Sequence, residues 1–82
     1  MAAVKGRRGI KHEPHQRFKG YLAENDIRQG KVAELLNISR VTLNQKLNGY
    51  LHFKFDEVEK ICREYDITPD IFLTYKLHKY NT

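Results

Sequence analysis

Residues 29–49 read Gln29-Gly30-Lys31-Val32-Ala33-Glu34-Leu35-Leu36-Asn37-Ile38-Ser39-Arg40-Val41-Thr42-Leu43-Asn44-Gln45-Lys46-Leu47-Asn48-Gly49. Two short helical patterns lie in this stretch, separated by a tight turn. Val32, Ala33 and Leu36 share one face of the first, and Leu43 and Leu47, at i and i+4, form the apolar stripe of the second. Asn37 falls where the chain must turn, and asparagine tolerates the left-handed backbone such turns use. Ile38 points back to the core. Ser39 predicts an N-cap, its hydroxyl placed to accept from an N–H two or three residues on, and Asn48-Gly49 is a stop signal. Two helices joined in this way form a helix-turn-helix unit. Ala33 is small where the second helix crosses close by, and Ile38, Leu43 and Leu47 hold the crossing. The outward residues of 39–48 are Ser39, Arg40, Val41, Asn44, Gln45 and Asn48. They offer hydrogen-bonding groups suited to base edges and phosphates, and no carboxylate to repel a phosphate backbone.

On the N-terminal side, Phe18 and Leu22 at i and i+4 predict another helix, with Pro14 suited to its first turn. Asn25-Asp26 breaks that helix. Residues 1–11 carry Lys5, Arg7, Arg8 and Lys11 with few large apolar groups and read as a flexible basic arm. On the C-terminal side, a loop over 50–54 leads to Phe55, Val58, Ile61 and Cys62, spaced as one helical face with acids opposite. Lys54 leaves that helix without an obvious N-cap. Thr68-Pro69-Asp70 is a further start signal, with a capping threonine, proline at the first position and an acid next. Ile71 to about Leu77 then predicts a fifth short helix or turn, and residues 76–82 a tail. Sustained period-two alternation, internal repeats and low-complexity linkers are absent. The expectation is an all-α, compact five-helix domain over residues 12–75.

Eighty-two residues suit one domain, and the formal charge of +5 is unevenly placed. Residues 1–20 hold Lys5, Arg7, Arg8, Lys11, Arg17 and Lys19 against Glu13 alone. Arg40, Lys46 and Lys54 face no acid over 39–54, whereas Asp56, Glu57, Glu59, Glu64 and Asp66 outnumber Lys60 and Arg63 over 56–66. A chain polarised this way can turn a basic face to a polyanion and an acidic face away. Cys62 is the only cysteine, so an intrachain disulfide is ruled out and a reducing compartment is expected. It reads as a small buried hydrophobe. No apolar run reaches the roughly 18–20 residues of a membrane span, and the basic N-terminus lacks a signal-peptide core. A cytoplasmic location is expected. His12 and His15 have no cysteine or acid cluster to join them in a metal site, and His52 and His78 read as surface residues. No nucleophile–base pair, phosphate-binding glycine loop or carboxylate pair is present, so neither an enzyme nor a cofactor is expected.

The run 29–49 resembles the Cro/cI-type (XRE-family) helix-turn-helix of phage and bacterial regulators, to which it aligns without a gap. Residues 53–61 are similar to the family's fourth helix, and Ile67-Thr68-Pro69-Asp70 with Phe72 resembles its fifth, so the likeness covers roughly residues 17–73. The resemblance implies a lambda-repressor-like fold with residues 39–48 inserted in the major groove. By position, Ser39, Arg40, Val41, Asn44 and Gln45 would face base edges. Gln29, Lys46, Asn48 and Lys54 would contact phosphates, Gln29 aided by its place at a helix N-terminus. Arg40 suits guanine, Asn44 or Gln45 adenine, and Val41 a thymine methyl. Two readings stand for Lys5, Arg7, Arg8 and Lys11: an arm reaching the minor groove, or a solvated tail. Gly30 departs from the family's helix formers at a cost of roughly 1 kcal/mol, and Asn37 replaces the usual turn glycine.

The function expected on these grounds is a sequence-specific double-stranded DNA-binding regulator, a repressor of phage or mobile-element type. Such short proteins act as homodimers on two-fold symmetric operators with half-sites roughly 34 Å apart. The dimer contacts would lie in the fourth and fifth helices or in the stretch Ile71 to Tyr80. The competing readings are an antitoxin or adaptor holding a protein partner on the same fold, and nonspecific binding through the basic arm alone.

Overall fold

Phe18, Leu22, Val32, Ala33, Leu36, Leu43, Leu47 and Ile61 are the buried hydrophobic side chains, and every helix supplies at least one of them. The computed structural model describes residues 9–73. Lys5, Arg7, Arg8, His78 and most of the proposed dimer stretch Ile71 to Tyr80 lie outside those residues. Helix α1 spans Gln16–Glu24 and buries Phe18 and Leu22. Helix α2, Gln29–Leu36, buries Val32, Ala33 and Leu36, and α3, Arg40–Leu47, buries Leu43 and Leu47. Helix α4 spans Phe55–Tyr65. Helix α2 packs against both α3 and α4, and a 3-10 turn over Pro69–Phe72 closes the core between α1 and α4. Each large apolar side chain removed from water here contributes about 1.5–3 kcal/mol. Among the described residues all regular structure is helical.

Of the fifth short helix or turn expected over Ile71 to about Leu77, the described residues hold the 3-10 turn Pro69–Phe72, with Leu73 extended after it (φ −70°, ψ 143°), and residues 74–77 lie outside them. Two expectations are corrected. Thr68 does not cap a backbone N–H there, because its hydroxyl bonds the carboxylate of Asp70 instead. Phe55 is not on the packed face of α4. It is 78% exposed, while Glu57 and Ile61, at i and i+4, turn inward. Val58 and Cys62 are half-buried beside them.

Three helices end in the same way. Asp26, Asn37 and Asp66 adopt left-handed backbone angles (φ 58°, 58° and 55°). Each is followed by an isoleucine whose N–H reaches back to a carbonyl in the last helical turn: Ile27 to Leu22 (2.9 Å), Ile38 to Ala33 (3.0 Å) and Ile67 to Cys62 (3.1 Å). This six-to-one bond satisfies a terminal carbonyl that the helix cannot. The side chains of Ile27, Ile38 and Ile67 then pack on the core from outside. Arg28, Ser39 and Thr68 come next, each in extended conformation, and each precedes the following element. One three-residue device thus makes three corners. The short polar side chains of aspartate and asparagine tolerate the left-handed conformation better than other non-glycine residues.

The segment ahead of α1 is docked onto the end of α3. Lys11 and His12 both donate backbone N–H groups to the Gly49 carbonyl (2.6 and 3.2 Å), and His15 donates to that of Leu47 (2.9 Å). Gly49 has φ +100°, and a Cβ there would lie 2.2 Å from the His12 carbonyl oxygen. Both the backbone angle and the close crossing therefore require glycine. Gly49→Ala is expected to lower the unfolding free energy by about 2 kcal/mol or more, measured by urea denaturation, whereas Gly20→Ala on open α1 surface should not destabilise.

Candidate nucleic-acid interface

The orientation of α3 follows from its two ends. At its start the Ser39 hydroxyl accepts from the Thr42 N–H (3.0 Å) and donates to the Thr42 hydroxyl (2.9 Å), so the N-cap expected from sequence forms. With Leu43 and Leu47 buried, Ser39, Arg40, Val41, Asn44 and Gln45 are exposed on the outer surface, Val41 to 68%. These five lie together and include no acid. The aliphatic stem of Arg40 runs back over the first turn of α2, where a Cβ on Gly30 would meet its Cδ and Nε at 3.7 Å. That is ordinary contact, and nothing in the packing demands glycine at position 30. Gln29 opens α2 half-buried, and Lys54 is exposed immediately before α4.

Lys46 departs from its expected place. It is 5% exposed, and its ammonium donates to Glu57 Oε1 and to the His52 carbonyl, both at 3.0 Å. An ammonium held this way is turned into the protein and cannot serve as a phosphate contact on the surface. The reason is tertiary. Position 46 faces the start of α4, and the only inward acid there, Glu57, needs a cation once buried. The same Oε1 accepts from the Lys54 N–H (2.8 Å), which supplies α4 with the N-terminal partner that Lys54 itself lacks. The Lys46 Nζ also lies 5.9 Å from the centroid of the Phe53 ring.

Other cations that sequence reasoning passed over border this surface. Lys19 of α1 donates to Asn48 Oδ1 (2.8 Å) at the C-terminal end of α3. Arg28 and Lys31 line an open cleft with Arg40, between the start of α2 and the turn into α3. No local pattern marks Lys19 as a neighbour of Asn48, because 29 residues separate them. Asn48 is half-buried, and its amide also donates to the Asn44 carbonyl and side chain (2.9 and 3.1 Å). Lys11 keeps an exposed side chain although its backbone is docked.

Behind the interface, the rings of His12 and His15 lie 4.6 Å apart and those of His12 and His52 5.1 Å apart. His12 places Nδ1 2.8 Å from the Glu13 carbonyl and Nε2 2.6 Å from that of Leu51, tying the docked segment to the loop after α3. His15 is buried against Phe53 and Phe72. Burial pushes its pKa down to about 4, with the neighbouring His12 and His52 adding to the effect and a bond to the Phe72 backbone opposing it. Burial, followed by the charge of Asp70, raises the Cys62 thiol. Such a thiol is a poor nucleophile at neutral pH.

The sequence pattern of the Cro/C1-type HTH DNA-binding domain family matches residues 17–76. The chain belongs to that family. The matched region takes in all four α-helices except the first residue of α1, together with the 3-10 turn. No curated protein and no solved structure gives a match. Membership makes double-stranded DNA the ligand of this domain. Among the described residues no helix is long and apolar enough to cross a membrane.

Two outcomes test this account of the domain. Lys46→Met leaves the Glu57 carboxylate buried without a cation and is expected to cost about 3 kcal/mol of stability. Adding Glu57→Gln, which keeps an acceptor for the Lys54 N–H, should recover most of that loss in urea titrations. The second outcome concerns His15. Its folded pKa lies below the unfolded value of 6.5, so the unfolded chain binds more protons between those limits. His15 therefore contributes stability that is present above pH 6.5 and is lost as pH falls towards 4. The fall in unfolding free energy between pH 7 and pH 4 should be about 2 kcal/mol smaller in His15→Phe than in the parent chain.

Proposed function

We propose that this protein is a sequence-specific transcriptional repressor that binds a two-fold symmetric DNA site as a homodimer, with α3 of each copy in the major groove. The observation that carries this reading is the outer face of α3. Arg40, Val41, Asn44 and Gln45 stand exposed and free of acids on a helix whose opposite side is locked into the core. Arg40 is the residue for a guanine edge, Gln45 for adenine and Val41 for a thymine methyl, while Ser39 faces the same groove with its hydroxyl engaged in the cap. Gln29, Asn48 and Lys54 hold phosphates on either side, with Lys11 at the margin. The acids at the start and middle of α4, Asp56 and Glu59, keep that part of the helix away from the phosphate backbone. Exposed Phe55 and Leu73 provide apolar surface on α4 and beyond it for contact between copies. Repression follows from occupancy: a domain of this size acts by covering the DNA that a polymerase would need.

Selection of bound sequences from a random duplex library tests the proposal. A two-fold symmetric consensus is expected, with Arg40→Ala and Gln45→Ala each weakening binding to it by about tenfold or more and relaxing one position. Lys54→Ala should instead weaken all sequences alike and reduce the salt dependence by about one charge. Enrichment of no sequence, with unchanged affinity in Arg40→Ala and Gln45→Ala, would defeat the proposal. A protein partner recovered with the chain in that case would favour an adaptor.

A further inference from the structure

Among the described residues, Asn44 is the one residue of the outer α3 face whose side chain is joined by a chain of hydrogen bonds to another helix, α1. The chain begins at Lys19. Its Nζ lies 2.8 Å from Asn48 Oδ1, and an ammonium has donors only, so the Asn48 atom facing it must be the oxygen. The Asn48 amide nitrogen is thereby turned towards α3. It lies 2.9 Å from the Asn44 carbonyl and 3.1 Å from Asn44 Oδ1. An amide nitrogen likewise only donates, so the Asn44 atom it meets must be the oxygen. Two successive one-way contacts thus fix the direction of both amides. The amide nitrogen of Asn44 is left as the outward end of an exposed side chain.

We infer that the Lys19–Asn48–Asn44 relay sets Asn44 to read a base as a hydrogen-bond donor, so that it selects guanine or thymine rather than adenine. The inference rests on the reading that α3 enters the major groove. An asparagine that recognises adenine uses both ends of its amide, donating to N7 and accepting from the N6 amino group. Here the oxygen already accepts from Asn48 and is turned back along the helix. The two N–H groups that remain match the paired acceptors of guanine, N7 and O6, or the O4 of thymine. Against adenine the same group meets an amino donor beside N7, and against cytosine it meets N4 alone, a donor facing donors. Adenine recognition on this face then falls to Gln45, which no relay holds in this way. Lys19 and Asn48 are positioning residues: neither needs to touch a base for its effect on base choice.

The full chain, with its own selected DNA site, is the material for the test. The position that loses its preference in Asn44→Ala identifies the base read by Asn44, and competition binding with all four bases at that position gives the ratios. Guanine or thymine should be favoured over adenine by about tenfold. In Lys19→Met and in Asn48→Ala that ratio should fall to about twofold or less, while preferences at the positions read by Arg40 and Gln45 stay unchanged. Asn48→Ala should also weaken every sequence alike, since Asn48 is a proposed phosphate contact, but a uniform loss leaves the ratio untouched. Lys19→Met removes no core contact and guards against misfolding of the Asn48 variant. Adenine at the Asn44 position, an unmoved ratio in both variants, or no position altered by Asn44→Ala would each overturn the relay while leaving DNA reading by α3 intact. Failure to select any consensus would overturn both.

Discussion

A single carboxylate oxygen joins the end of α3 to the start of α4. Glu57 Oε1 accepts from the Lys46 ammonium at the end of α3 and from the Lys54 N–H at the start of α4, and Lys46 also bonds the carbonyl of His52 between them. Burying two charges is costly, and an ion pair placed in a core adds little net stability over apolar side chains of the same size. Its value lies in direction. Leu43 and Leu47 hold α3 against the core, but apolar contacts tolerate small rotations. A buried ammonium with two fixed acceptors does not, because any rotation that breaks a contact leaves a charge without a partner. The loop over 48–54 is thereby closed at both ends, and the outer face of α3 has one orientation.

From that constraint the surface follows. The segment ahead of α1 crosses the end of α3 at Gly49, and His12 bridges from it to Leu51. Helix α3 is therefore held by α2 on one side, α4 on another and the incoming chain at its C-terminal end. Asn48, at that same end, is reached by Lys19 from α1. The segment ahead of α1 and Lys19 of α1 thus meet the end of α3 where a helix would otherwise fray. This suits a protein that must present a few side chains to DNA without paying the ordering cost at the moment of binding.

Three of the corners close without glycine. Asp26-Ile27-Arg28, Asn37-Ile38-Ser39 and Asp66-Ile67-Thr68 share the order of a left-handed polar residue, an isoleucine folded onto the core and an extended residue before the next element. Only the second of these was legible as a helix-ending turn with its isoleucine, because it sits inside a recognisable helix-turn-helix spacing. In sequence Asp26 reads simply as a helix breaker, and Asp66 carries no turn signal of its own. Three scattered residues do not register as a repeat when the helices between them differ in length and in composition.

The sequence by itself determined the helix-turn-helix: its apolar spacing, the Ser39 cap and the Asn48-Gly49 stop are local, and local rules place α2 and α3 and leave an acid-free outer face. It also determined the family, because that spacing and those caps lie close together in the chain. What only the tertiary structure decided is where the side chains of α4 and the end of α3 point. Phe55 and Glu57 are two positions apart, and side-chain polarity favours the phenylalanine for the core, although position 57 shares the i, i+4 face with Ile61. The structure reverses them because Lys46 already occupies the facing site and needs an anion there. Lys46 itself reads as a surface cation until its partner, 11 residues on, is known. The bond from Lys19 to Asn48 is equally out of reach of any local rule. Pairings of charged and polar groups depend on which segments meet in space, and burial then makes them obligatory, whereas caps and apolar stripes are written within one turn of helix.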